Sequence, residues 1–346
     1  MKMWTGRAGA VITPTMDMPY SLIDPRLPPV SRLSLGSWNT FSRCTAAELE
    51  RLLGMALDNG INLFDVGYYW DKPDTEAAVA AALRSLARPR DSFLIAQKLW
   101  LWNYPAQSFR QQLEGSLDRL GLDQVDMVLV SRPTPDLDLA TYLAEVVALV
   151  EQGLARSWGV TNYPAALVRE TVALARASGW PQPAMLQLQY NVMRRGIVEG
   201  SDYAGLFADG TIKLCAAHML EGGILGGHLE RDRVDPPEFA AGVRPPERNI
   251  ARDSGGIREE IRARQPRLAQ IAADFGATPA QLALAFCLSH PHLATALVGV
   301  SRCEDLAENL GALDLLGRAD AVRQAVAPLA IAGVGHPKLF NPHNDI

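Results

Sequence analysis

From residue 30 onward the chain alternates short apolar runs with longer segments in which apolar residues recur every three or four positions. The short runs are VSRLSLG (30–36), INLFDV (61–66), FLIAQK (93–98), VDMVLVS (125–131), ARSWGV (155–160), AMLQLQ (184–189), TIKLCAA (211–217) and TALVGV (295–300). Each has the length of a strand and the near-continuous hydrophobicity expected when both faces of a sheet are covered. The segments between them predict helices over 45–60, 75–86, 105–121, 138–152, 164–179, 201–207, 257–275, 279–289 and 303–313. In the first of these, Thr45 and Glu48 have the spacing of a capping box and Gly60 supplies the stop.

Eight strand-like runs spread over 30–300 recur about every 38 residues, the unit length of a (β/α)8 barrel. Strand and helix patterns that alternate along the whole chain predict a parallel sheet with helices outside it. With no second compositional regime, one closed TIM barrel is expected over residues 18–330. Residues 1–17 read as a mobile N-terminal extension and 331–346 as a C-terminal tail. The segment after strand seven, 218–256, is rich in Gly, Pro and Arg and longer than an ordinary connection. It fits a binding loop or a solvated insertion equally well.

Composition narrows the functional classes. The chain of 346 residues has a net charge of −5, which supplies no basic field for nucleic acid or an anionic membrane. No apolar run approaches the ~18 residues of a membrane span. Cys44, Cys215, Cys287 and Cys303 show no zinc spacing and read as reduced thiols. A cytoplasmic protein acting on a small molecule is therefore expected.

Barrel chemistry belongs to the C-terminal ends of the strands. In order, those ends carry Ser37 and Trp38, Asp65, Lys98, Ser131, Thr161 and Asn162, Gln187, His218, and Ser301 with Arg302. Asp65 and Lys98 each terminate an apolar run on neighbouring strands, so a buried ion pair is the natural expectation, structural or catalytic. Ser301 and Arg302 precede a helix, where a phosphate and an ordinary N-cap are both reasonable. GGILGG (222–227) is neither a Walker loop nor a dinucleotide fingerprint, and His290-Pro-His292 has no third metal ligand nearby.

Taken together, GINLFDV, IAQK, LDRLGLDQVDMVLVSRP, GLARSWGVTNY, LQLQYN and LVGVSRCEDLAENLGAL resemble the aldo-keto reductase superfamily, in that order. Within it they are most similar to the branch holding potassium-channel β subunits and bacterial aldo-keto reductases. The resemblance covers about residues 18 to 315 and implies an opening hairpin, a barrel, bound NADPH and carbonyl reduction. It implies that Thr161, Asn162 and Gln187 hold the nicotinamide carboxamide. It places Ser301, Arg302, Asp305, Glu308 and Asn309 in the adenosine and 2′-phosphate clamp, and adds Ser37, Trp38, His218, Leu220 and Gly222 to the cofactor side. Ala217 stands where an aromatic usually stacks on the nicotinamide, and His228 where a lysine often meets the pyrophosphate.

The resemblance assigns catalysis to Asp, Tyr, Lys and His or Asn, and here the set is altered. Asp65 and Lys98 are kept, Trp70 occupies the tyrosine's position and Ser131 the histidine's. A one-residue slip would make Tyr69 the tyrosine, although Glu76 keeps its spacing from Asp65. An indole does not release its proton at usable pH, so Trp70 and Ser131 would not run the usual relay. Three functions stay open: an NADPH-dependent oxidoreductase with a modified acid site acting on a polar carbonyl or imine, a lyase or isomerase using Lys98 and Asp65, and a non-catalytic NADPH-binding protein.

Overall fold

The computed structural model describes residues 17–69, 72–101, 104–227 and 258–332. Trp70, His228, most of the predicted long loop, and nearly all of the N-terminal extension and of the tail lie outside the described residues.

Tyr20–Ser21 (β1) and Val30–Ser31 (β2) pair antiparallel as a small hairpin. The barrel strands are β3 (Leu33–Gly36), β4 (Leu63–Val66), β5 (Leu94–Leu99), β6 (Val125–Ser131), β7 (Ala155–Thr161), β8 (Met185–Gln189), β9 (Lys213–Ala217) and β10 (Leu293–Val298). They close in the order β10-β3-β4-β5-β6-β7-β8-β9. This is the (β/α)8 TIM barrel expected from the alternation of runs.

The predicted strand 30–36 is in fact two elements, divided at Arg32. The Arg32 amide donates to Pro19 (2.8 Å), while its carbonyl accepts from Ala296 (2.8 Å). Its guanidinium donates to the carbonyls of Leu288 (2.7 Å) and His290 (2.8 Å). One residue therefore passes the chain from the hairpin to the barrel. The last strand begins two residues before its predicted start and stops before Gly299, where a Cβ would meet the Thr40 methyl at 2.8 Å.

Around the barrel run α1 (Ala46–Asp58), α2 (Thr75–Ser85), α3 (Phe109–Leu120), α4 (Leu139–Glu151), α5 (Ala165–Ala177), α6 (Ser201–Ala208), α7 (Arg258–Asp274), α8 (Pro279–Leu288), α9 (Cys303–Leu310) and α10 (Ala319–Ala325). The Thr45–Glu48 capping box forms as the sequence predicts. Helix α3 starts four residues after its predicted start because Ser108 and Gln111 form a second capping box there. Every residue of α8 from Ala280 to Leu288 is buried, which is why its sequence lacks an amphipathic stripe. Among the described residues no single helix is long and apolar enough to cross a membrane.

Inward positions such as Leu63, Ala96, Met127, Leu129, Met185, Cys215 and Leu297 fill the barrel. The floor is thus solid, and chemistry is confined to the mouth. Behind one side of the mouth lies a polar strut. Glu76, fully buried at the start of α2, accepts hydrogen bonds from Gln97 and Arg119. Gln97 also donates to Ser116 (2.7 Å), and the Arg119 guanidinium lies 4.4 Å from the ring centre of Tyr68. On the other side of that residue the Trp100 indole donates to the Tyr68 carbonyl (3.0 Å). Gln112 in turn bonds both backbone groups of Trp100 at 2.9 Å. Helix α3 therefore sets the course of the loop after β4.

Two expectations follow from this packing. Arg119→Met strands a buried carboxylate and should cost about 3 kcal/mol in urea unfolding. Adding Glu76→Gln should recover more than half of that loss, because no charge is left buried. At the opposite flank burial pushes the His290 imidazole down to about 4, with Arg323 and His292 adding to the effect. The unfolded chain then binds the extra proton, so stability should fall as pH drops from about 6.5 to about 4. The urea midpoint of His290→Gln should decline less than that of the unaltered protein across this window.

Candidate active site

The register of β3, β4 and β5 brings two charges together at the mouth. Asp65 is near the end of β4 and Lys98 near the end of β5, and both are buried. The ammonium donates to the two carboxylate oxygens at 2.7 and 2.6 Å. This is the ion pair anticipated from the strand ends. Two-oxygen acceptance by Asp65 fixes the lysine side chain and offsets much of the cost of desolvating both groups.

Tyr69 lies three residues beyond β4 and is 2% exposed. Its hydroxyl sits 3.2 Å from the Ser37 hydroxyl, which also accepts from the Gly67 amide (3.3 Å). Gly67 makes this possible, since a Cβ there would meet the tyrosine ring at 2.9 Å. The Lys72 amide donates to the Tyr69 carbonyl at 2.7 Å. Among the described residues no hydrogen bond links Tyr69 to Lys98. Ser131 is buried at the end of β6, and its carbonyl accepts the Tyr142 hydroxyl at 2.5 Å.

On the far side of the mouth Thr161, at the end of β7, donates to the Gln187 side chain (3.3 Å) on β8. Asn162 takes a left-handed backbone, φ 58°, and its amide donates to the Gln187 carbonyl (2.9 Å). Thr161 has spent its proton on Gln187 Oε1, so the Gln187 amide nitrogen and the Asn162 side chain are the donors and acceptor offered to a ligand. A primary carboxamide needs that combination, so these three residues fit the nicotinamide end of a dinucleotide.

Next, Ala217 closes β9, and His218 follows with φ 56°. The His218 ring meets the Trp38 ring edge-on, centroids 5.3 Å apart. Although partly exposed, His218 is desolvated enough to bring its pKa down to about 4, and Arg194 adds to the shift. It is neutral at physiological pH. Leu220 leads into a turn in which Glu221, Gly222 and Gly223 all have positive φ. Glu221 is buried and ion-paired with buried Arg194, and Asn191 donates to both Glu221 (2.8 Å) and the His218 carbonyl (3.1 Å).

A second group lies on α9. Arg302 is exposed at its N-cap and Glu304 accepts from the guanidinium at 3.4 Å. Asp305 is in the same first turn, Asn309 is buried, and the Glu308 carbonyl accepts from Gln281 (2.9 Å). Cys44 ties this group to the mouth by donating to the Ser301 carbonyl at 3.3 Å. The surface pair with Glu304 is weak enough to leave Arg302 open to a phosphate.

Sequence reasoning passed over Arg119, Trp100, Asn191, Arg194 and Glu221, which support the site from behind. Their signal was available in part: charged residues inside otherwise apolar stretches need partners when buried. Which partners they find depends on packing between distant segments.

The comparisons agree with this geometry. A solved structure assigned as a 2,5-diketo-D-gluconic acid reductase B superposes with a TM-score of 0.65 at 20% sequence identity. The match covers 89% of this chain and 92% of the other, and at that identity it speaks for the shared fold. Residues 32–325 match the Aldo/keto reductase family. That span takes in the Asp65–Lys98 pair, the Thr161–Gln187 row and the α9 group, and the chain belongs to the aldo/keto reductase family.

Proposed function

We propose that the protein is an NADPH-dependent oxidoreductase with an altered acid site, acting on a polar carbonyl or imine. The observation that carries this reading is the buried Asp65–Lys98 pair, at 2.6 Å, in the same barrel mouth as the Thr161, Asn162 and Gln187 row. Family membership supports reduction as the reaction class. NADPH, when bound, would supply a hydride, with its carboxamide on Thr161, Asn162 and Gln187 and its phosphate end on Ser301, Arg302, Asp305, Glu308 and Asn309.

The remaining work falls to the chain's own groups. Lys98 is the cation nearest to where charge would develop on the substrate heteroatom, and Asp65 holds it in one orientation. Lys98 and Tyr69, both at the mouth, are the groups that could give up a proton to that heteroatom. In carbonyl reduction the carbon gains a hydride and the oxygen gains that proton. Reduction of an iminium needs no proton on nitrogen, because the positive charge is cancelled by the hydride itself. An imine that reaches the mouth already protonated therefore asks least of this site. Ser131 would contribute a hydroxyl hydrogen bond to a polar substrate.

Stopped-flow mixing of the enzyme and NADPH with a panel of aldehydes, ketones and cyclic imines tests the reading. Cofactor oxidation is expected with at least one member, with imines favoured; no oxidation across the panel would overturn it. Lys98→Met should lower kcat by on the order of a hundredfold. NADPH affinity should stay within about threefold, because the lysine acts on the substrate heteroatom and not on the cofactor. Trp70→Tyr restores a phenol to the loop and should raise kcat/KM for simple aldehydes by about tenfold or more. An unchanged rate would mean that another group already supplies the proton.

A further inference from the structure

At the end of β5 opposite to Lys98, a crevice opens on the outer wall of the barrel. It lies between the C-terminal halves of α2 and α3 and has a volume of about 210 Å³. Leu83, Phe93, Ile95 and Leu122 make its floor. Ile95 and Lys98 are an odd number of residues apart on one strand, so their side chains point to opposite faces of the sheet. The crevice is therefore separate from the mouth. A dry cavity of about 150 Å³ holds a benzene molecule, so this one has room for a substituted ring.

The rim is cationic. Arg84, Arg88 and Arg90 line the crevice, and no acidic residue does among the described residues. Arg90 is fixed in place: its guanidinium lies 5.1 Å from the centre of the Phe93 ring and donates to the Phe93 carbonyl (2.9 Å) and to Asp126 (2.7 Å). Arg88 pairs with Asp58 at the surface. Arg84 is exposed and has no hydrogen-bond or ion-pair partner among the described residues. It reaches over the end of α3, where a Cβ on Gly121 would meet its guanidinium at 3.1 Å. Nor is this charge needed to cap the two helices. Backbone amides already take up last-turn carbonyls, Leu86 bonding Ala82 (3.1 Å), Ala87 bonding Arg84 (3.0 Å) and Leu122 bonding Leu117 (3.1 Å).

We propose that this crevice binds a small amphipathic carboxylate, its apolar body of about phenyl size on the floor and its carboxylate on Arg84 at the rim. Each half of the ligand answers one half of the site. The floor gains free energy only from an apolar group that displaces water. Arg84 offers two parallel N–H groups, the geometry that matches a carboxylate and offsets the cost of desolvating it. A cation would meet three guanidinium groups, and a purely polar anion would leave the floor wet.

Ligand-observed NMR titration with phenylacetate and its neutral match, phenylacetamide, tests the site. Phenylacetate should bind with a Kd on the order of 1 mM, and about tenfold more tightly than the amide. Arg84→Ala should weaken phenylacetate about tenfold and leave the amide within about twofold. A second variant acts from another rim position without touching an arginine. Ala87 lines the crevice with φ 47°, a conformation that Asp and Asn accept. Ala87→Asp should weaken phenylacetate about tenfold by charge repulsion, whereas Ala87→Asn should change it by less than about threefold. Absence of saturable phenylacetate binding overturns the proposal, as does equal affinity for the acid and the amide. Phenylacetate binding that survives unchanged in Arg84→Ala and in Ala87→Asp also overturns it, because the carboxylate would then sit elsewhere on the protein.

Discussion

The pairing of β10 with β3, Ala296 beside Leu33 through Val298 beside Leu35, closes the barrel, and the mouth exists because of it. Without this ladder both strands would be open edges, and Trp38 and His218 would have no common corner. Arg32 ties the closure down from outside. It bonds through its backbone to Pro19 and Ala296 and through its side chain to Leu288 and His290. Segments more than 250 residues apart in the chain are thereby held within one hydrogen-bonded ladder.

Closure also explains how two charges can stay inside. Asp65 and Lys98 come from neighbouring strands whose register is set by the ladder, so their meeting does not depend on a flexible side chain finding a partner. The same logic applies one layer back. Glu76, Gln97 and Arg119 come from α2, β5 and α3, and they fix the face of Tyr68 from behind the mouth. Opposite, Asn191, Arg194 and Glu221 fix the turn that begins at His218. Groups at the barrel mouth are thus held by buried polar contacts on both flanks, an arrangement that favours a single geometry over a slightly more stable apolar core.

Much of this was legible before the structure. Short apolar runs and period-3.6 patterns gave the strand and helix sequence, the Thr45–Glu48 box located a helix start, and strand-end position singled out Asp65 and Lys98. Where local pattern misled, a non-local contact was responsible. The run 30–36 looks like one strand, yet Arg32 divides it because Pro19 and Ala296 claim its backbone. Helix α9 ends at Leu310, three residues before its predicted end, and the chain continues as a 3-10 turn through Gly311–Arg318. At that point Gln281 from α8 reaches the Glu308 carbonyl. The role of Tyr69 was undecidable from spacing, since a one-residue slip in a loop leaves no periodic trace.

By itself the sequence determined the barrel, the order of its elements and the residue types at each strand end, because hydrophobic period and strand length are local properties of the chain. It also shows that no histidine precedes residue 218 and that a tryptophan follows Tyr69. The tertiary structure decided which of those residues face one another. It turned Tyr69 to Ser37 through the gap left by Gly67, aimed Lys98 at Asp65, and set the His218 ring against Trp38. Such choices depend on register, on closure and on atoms that a glycine omits, and these are properties of the packed molecule.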